Sequence, residues 1–218
     1  IGQTSSIDKS TGASAGNISF SSTSSGTVIS PFSTVVTEGG ISSQELADSL
    51  GLNGIDLLNF NPFASGVDAA QALLVENTSH QLENIIVSFT EATKENGITN
   101  EQSKKIAIDS FISTAKEKIA LEQTIDLSKQ SDISAITSKI LNSSSLITSD
   151  AAALQTKLKT ISEAVENVNG EIKKVDSLSS DTSKGVYSLG QLLKQQVVDH
   201  VSKSKNMDLT DTNNVALA

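Results

Sequence analysis

The stretch AAALQTKLKTISEAVENVNGEIKKV, residues 151–175, decides the fold class. Its apolar residues recur at alternating intervals of four and three, which predicts a long helix with one narrow apolar seam. The seam can pack within the chain or against a second copy. We expect internal packing, because the chain has other long helices that can cover it. The seam consists of Leu154, Leu158, Ile161, Val165, Val168, Ile172 and Val175.

Further helices are predicted before and after this stretch. Capping boxes at Ser42–Glu45 and Thr99–Gln102 each mark a helix start, and Asn96–Gly97 marks a helix end. Short connections favour antiparallel hairpins. We therefore predict a mainly α fold, an antiparallel four-helix bundle of long helices with one or two short extra helices and extended ends that have β character. The predicted helices are 42–50, 67–95, 98–121, 131–142, 149–178 and 183–204.

The composition divides the chain into four parts. Residues 1–26 are a Ser/Thr/Gly-rich extended lead-in, and residues 206–218 are a polar extended tail. Residues 27–66 contain a strand-like piece that ends at a proline, then a short helix and a loop. The loop has enough apolar residues for us to expect it to dock on the core. Residues 67–205 form the helical bundle.

The composition also excludes several classes of site. The 218 residues include no cysteine and two histidines, so cysteine chemistry and a His-rich metal centre are excluded. The net charge is −9 without basic runs, which argues against a nucleic-acid partner. No apolar run reaches the roughly 18 residues of a membrane span. The sequence identifies no catalytic residue and no small-molecule substrate.

The same composition favours an exported protein. A chain without cysteine avoids unwanted thiol chemistry in oxidising surroundings. Its 36 serines and 19 threonines, together with the negative net charge, give a well-hydrated surface that repels itself. An AT-rich genome is an alternative source of this composition. We expect an extracellular or cell-surface location.

Three motifs follow one another in the first third of the chain. They are VISPFSTVV at 28–36, SQELADSLGL at 43–52 and DLLNFNPFA at 56–64. In this order they resemble a helical segment of very large bacterial secreted, adhesin-like surface proteins, with motifs of the ITPLTTLV, ALGL and DLTTFDP type. The resemblance covers about residues 27–85. It implies an exported structural or adhesive role, often calcium-dependent, and carries no catalytic residues. Phe32 and Asn61 depart from the family pattern, and Asn61 removes a carboxylate that relatives could use for an ion.

Few residues are candidates for chemistry. His80 has Glu76 and Glu83 within one helical turn, but we expect it, like His200, to be solvated or half-buried. No cofactor is expected, and calcium is the one ion with a candidate site. Asp208 and Asp211 lie in the one compact oxygen-rich stretch, which lacks the glycine and terminal glutamate of an EF-hand.

Two function classes remain. The first is a non-enzymatic structural or adhesive module of an extracellular assembly, such as a filament, surface layer, sheath or giant adhesin. Its partners would be other copies or flanking domains of a longer surface protein, and its extended ends would add strands to neighbours. The alternative is a secreted helical effector, such as a pore-forming or secretion-tip protein. The assembly candidates are Ile18, Phe20, Val28, Ile29, Val35, Val36, Leu209 and Val215.

Overall fold

The computed structural model describes residues 19–94, 98–146, 151–179 and 181–203. This part of the chain is mainly helical, as predicted, and it contains no strand. Ile18, Asp208, Leu209, Asp211 and Val215 lie outside the described residues. The described helices are α1 (Pro31–Gly39), α2 (Ser43–Ser49), α3 (Ala69–Lys94), α4 (Asn100–Ala120), α5 (Gln130–Leu141), α6 (Ala151–Lys173) and α7 (Asp181–Lys203).

Both predicted capping boxes form. The Ser42 hydroxyl accepts from the amide of Glu45, whose carboxylate accepts from the Ser42 amide in return. The Ser42 hydroxyl also donates to the Glu45 carboxylate at 2.7 Å, and this bond, followed by that from the Ser42 amide, lowers the pKa of Glu45. Thr99 and Gln102 make the same exchange at the start of α4. Local sequence therefore identifies the N-caps of these two helices, although the predicted ranges begin one or two residues before the helices themselves.

The prediction of a strand before Pro31 is wrong. Thr27–Ile29 run without regular structure, and Pro31 begins α1. The Ser30 hydroxyl caps the Ser33 amide, while the Ser33 hydroxyl accepts from the Ser30 amide. Proline suits the first helical position because its missing N–H has no intrahelical partner there. The β-branched run that follows is helical because burial overrides its strand propensity, and Val35 is fully buried.

Helix α3 lies at the centre of the molecule. It contacts α4, α6, α7 and α1. Asn77 bonds to the carbonyl of Val175 and Gln81 to that of Asn169, so α3 and α6 run antiparallel. Helix α7 packs on α3 and α6, and α5 packs between α4 and α6. The arrangement therefore differs from the two packed hairpins that the sequence predicts, because the short α5 takes a side of the core that we had assigned to a long helix.

The seam of α6 packs inside the chain. Leu154, Leu158, Ile161, Val165, Val168 and Ile172 are all buried in the core, and Val175, beyond the helix end, is half-buried against it. The apolar loop after α2 also docks on this core, through Leu52, Ile55 and Leu57. A second connection, 121–129, is held by the Ile125 amide, which donates to the Ser49 carbonyl at 2.7 Å.

Candidate functional site

The interface of α3 and α7 buries a cluster of ionisable side chains. Glu76, His80 and Glu83 lie on α3, at spacings that place them on one face. The two nitrogens of His80 lie 3.3 Å from Glu76 Oε1 and 3.7 Å from Glu83 Oε2. Lys194 reaches across from α7 and donates to Glu83. His80, Glu83 and Lys194 are each no more than 7% exposed. We call Glu76, His80, Glu83 and Lys194 the charge cluster.

An aromatic contact holds the imidazole in place. The ring of Tyr187 on α7 stacks on His80 with centroids 4.4 Å apart and planes 19° from parallel. The Tyr187 hydroxyl donates to Asn77 Oδ1 at 2.6 Å, so a side chain that is 1% exposed has its polar end paired. This contact fixes the longitudinal position of α7 along α3. Because Tyr187 pairs with Asn77 and Lys194 with Glu83, the two helices run parallel.

The charge cluster brings buried groups of both signs together. Lys194 pairs with Glu83, and His80 lies between the carboxylates of Glu76 and Glu83. Buried charges are tolerated when they are paired and hydrogen-bonded. The cluster can therefore join two helices through buried polar contacts, which is the role that its geometry supports. Our expectation of a solvated or half-buried His80 is wrong, because the inward face of α3 carries it under Tyr187.

A second polar group lies beside the cluster, which we call the amide knot: Gln81, Asn84 and Asn169. Asn169 on α6 is fully buried and donates to the carbonyls of Gln81 and of Leu127, at 3.2 and 2.7 Å. Its Oδ1 accepts from Asn84 at 2.9 Å, and its backbone carbonyl accepts from Gln81. The amide knot thus ties α3, α6 and the 121–129 connection together without any charge.

A cleft of about 700 Å³ opens beside the charge cluster. Helices α1, α3, α4 and α7 and the residues Ser19 and Phe20 line it. Lys94, Lys104 and Lys194 contribute to the lining, and Glu91 is its one acidic residue among those that the structure describes. Ile86, Val87, Val198 and Phe20 give it an apolar wall. Lys194 belongs both to the charge cluster and to the cleft.

Gly190 and Gly185 on α7 provide a matched test of the amide knot. A Cβ on Gly190 would lie 2.7 Å from Asn84 Oδ1, and the amide knot holds Asn84 in place. Gly190→Ala should therefore lower the free energy of unfolding by about 1–3 kcal/mol. A Cβ on Gly185 meets nothing within 4 Å, so Gly185→Ala should raise it by about 0.5–1 kcal/mol. Urea unfolding followed by circular dichroism measures both, and equal effects of the two substitutions would contradict the contact.

The predicted assembly residues are scattered. Ile29 is 53% exposed, while Phe20, Val28 and Val36 are half-buried. Val35 lies on the buried face of α1, so it cannot contact a neighbouring copy of the chain. This corrects its place among the assembly candidates. Sequence reasoning missed the charge cluster, although the spacing of Glu76, His80 and Glu83 was a signal for it. Sequence reasoning also missed the amide knot. Asn169 lies beside the seam, at a position that the apolar spacing of the helix assigns to solvent.

Two kinds of site have no candidate within the described residues. No group of three or more His, Cys, Asp or Glu side chains there is arranged to hold a metal ion. None of the described helices is long and apolar enough to span a membrane. No protein-family model, curated protein or solved structure matches this chain significantly.

Proposed function

We propose that this chain is a non-enzymatic structural or adhesive module of an extracellular assembly. One observation carries the proposal. The residues of the adhesin-like motifs, 28–36, 43–52 and 56–64, form a layer on the helical core, which we call the collar. The amide of Val28, which begins the first motif, and that of the preceding Thr27 donate to the Leu58 carbonyl of the third, at 3.0 and 3.1 Å. Phe32, which replaces the family's leucine, is buried in the core. The motifs therefore act in folding and packing, which supports an architectural role.

The turn at Asn61 supports the same interpretation. Its Oδ1 accepts from the Phe63 amide at 3.0 Å, which closes a local turn before α3. Asp56 does the same for the Leu58 amide, at 3.2 Å. An asparagine performs this turn function as well as an aspartate does. The departure at Asn61 thus leaves the collar intact while removing one possible calcium ligand.

A module of this kind needs a rigid body and a joint. We infer that α3, α4, α5 and α6 act as the rigid four-helix bundle, to which α7 is fixed by the charge cluster. Ile29, at the start of the collar, is the most exposed of the assembly candidates that the structure describes. An exposed isoleucine in a non-helical segment is suited to contact with a neighbouring copy. The two ends of the chain, which lie outside the described residues and include the calcium candidates Asp208 and Asp211, would complete the joint.

The test is the mass and shape of the purified chain, with and without millimolar calcium, by light scattering and negative-stain microscopy. We expect filaments or sheets from the wild-type chain, and monomers from Ile29→Asp. Leu121→Asp is the matched control, since Leu121 is 66% exposed at the far end of α4. A monomer at every concentration, with or without calcium, would contradict self-assembly. Leakage of lipid vesicles by that monomer would instead support the alternative, a secreted helical effector.

A further inference from the structure

The lining of the cleft beside α7 differs in charge from the protein as a whole. Among the described residues it has three lysines and one glutamate, a formal charge of +2, on a chain with a net charge of −9. Each lysine already pairs with one carboxylate. The partners of Lys104 and Lys194 are Glu38 and Glu83, and neither belongs to the lining. A molecule that enters the cleft therefore meets more lysines than carboxylates among the lining residues.

The lysines of the cleft have more N–H donors than described hydrogen-bond partners. An ammonium group carries three N–H donors. Among the described residues, Lys194 donates to one partner, Glu83, and Lys94 to one, Glu91. Lys194 is 7% exposed, so few waters reach its remaining donors. A buried ammonium with one partner is a preorganised site for a second anion, because charge-assisted hydrogen bonds are strong where water is excluded.

A further polar group of the lining lacks a partner. The Thr90 hydroxyl is buried and forms no hydrogen bond within the described structure, and Thr90 is 6% exposed. An unpaired buried hydroxyl is unfavourable unless a ligand or water pairs with it. Thr90 lies one turn before Lys94 on α3, so the hydroxyl and this ammonium share a face of the cleft.

The remaining wall is apolar. Ile86, Val87 and Val198 supply aliphatic surface, and Phe20 supplies an aromatic ring. A cleft of about 700 Å³ falls in the usual size range of small-molecule sites, which combine apolar walls with a few polar groups. The shape thus suits a ligand with a charged head and a short apolar body.

We propose that this cleft binds a small amphiphilic organic anion, with its carboxylate or phosphate head on Lys94, Lys104 and Lys194 and its apolar body against Ile86 and Phe20. The head-group chemistry is shared by carboxylates and phosphates, and the experiment below separates them. The proposal does not depend on self-assembly. A chain that remains monomeric can bind the anion, and an assembling chain can fail to bind it.

The test is a titration of the isotope-labelled chain with hexanoate, hexyl phosphate, inorganic phosphate, 1-hexanol and hexylamine, followed by amide chemical shifts. We expect saturable shifts near Thr90, Lys94 and Gln195 with hexanoate or hexyl phosphate, at least about tenfold weaker binding of hexanol, which lacks the charge, and none of hexylamine. Whichever anion binds more tightly identifies the head group. Equal binding of inorganic phosphate and hexyl phosphate would contradict the role of the apolar wall.

Variants separate this site from general attraction of anions. Lys94→Gln should weaken hexanoate binding about tenfold, and adding Lys104→Gln should weaken it further. Lys105→Gln is the control, because Lys105 follows Lys104 on the same helix but is 63% exposed and pairs with Asp109 away from the cleft. If Lys105→Gln weakens binding as much as Lys94→Gln does, the proposal is overturned. Unchanged shifts with all five probes would overturn it as well.

Discussion

Glu83→Gln should lower the free energy of unfolding by about 3–5 kcal/mol, one of the two largest effects that we expect in this protein. The substitution leaves the ammonium of Lys194 inside the α3–α7 interface without its carboxylate. Removing one member of a buried pair is costly because the remaining charge stays desolvated. Urea unfolding followed by circular dichroism gives the free energy, and the chain is small enough for two-state behaviour to be tested with a second probe.

Removal of the lysine of this pair should lower the free energy of unfolding by less than removal of the glutamate does. In Lys194→Met the carboxylate of Glu83 keeps His80 as a neighbour, 3.7 Å away, so it is not left without a polar group beside it. We therefore expect Lys194→Met to be less destabilising than Glu83→Gln. An equal loss in both variants would contradict the role of His80 in the charge cluster.

The double variant Glu83→Leu/Lys194→Met tests whether the pair or the packing matters. Replacing both charges by apolar side chains removes the desolvation cost, so the double variant should be more stable than Glu83→Gln. Asp109→Asn is the control on α4. Its pair with Lys105 is half-exposed, and breaking it should change stability by less than about 1 kcal/mol. A large effect of Asp109→Asn would show that net charge, and not burial, controls the result.

The sequence allows part of this fold to be predicted because some signals are local. Both capping boxes form where the serine, threonine and acidic or amide residues place them. The alternation of fours and threes in α6 correctly identifies the side that is buried. Each of these signals lies within one helix, so it does not depend on the tertiary structure. Helix α1 was missed because its capping box ends in Ser33, where the usual pattern has Glu or Gln.

The candidate site could not be predicted in the same way. From the sequence alone, Lys194 is interpreted as a solvated lysine. Its partner Glu83 lies 111 residues earlier in the chain, and only the packing of α7 on α3 brings the two together. The cleft brings together Phe20, α3, the start of α4 and α7, which no periodicity relates. His80 was the exception, since its flanking carboxylates were visible at helical spacing. Polar residues on a predicted helix can therefore face inward when a later helix supplies their partners, and composition alone does not reveal this.

Asn169→Asp should be the second of the two most damaging substitutions, with a loss of at least about 3 kcal/mol. The change is isosteric, so packing is preserved while hydrogen bonding and charge are altered. The side-chain amide of Asn169 donates to the carbonyls of Gln81 and Leu127, and an aspartate would direct a carboxylate oxygen at both. A buried carboxylate that faces two carbonyl oxygens is repelled, and none of the described hydrogen-bond partners of this side chain is a cation.

The outcome distinguishes a buried hydrogen-bond network from mere burial. Asn169→Ala removes the donors without adding a charge, so it should destabilise the chain less than Asn169→Asp does. Gln155→Glu makes the same amide-to-acid change on an exposed position of α6, and it should alter the free energy of unfolding by less than about 0.5 kcal/mol. If Asn169→Asp were as mild as Gln155→Glu, water would reach the amide knot and the centre of the molecule would be open. If Asn169→Asp is severe only above the pH at which its carboxyl ionises, the cost is that of the charge itself, as the geometry of the amide knot predicts.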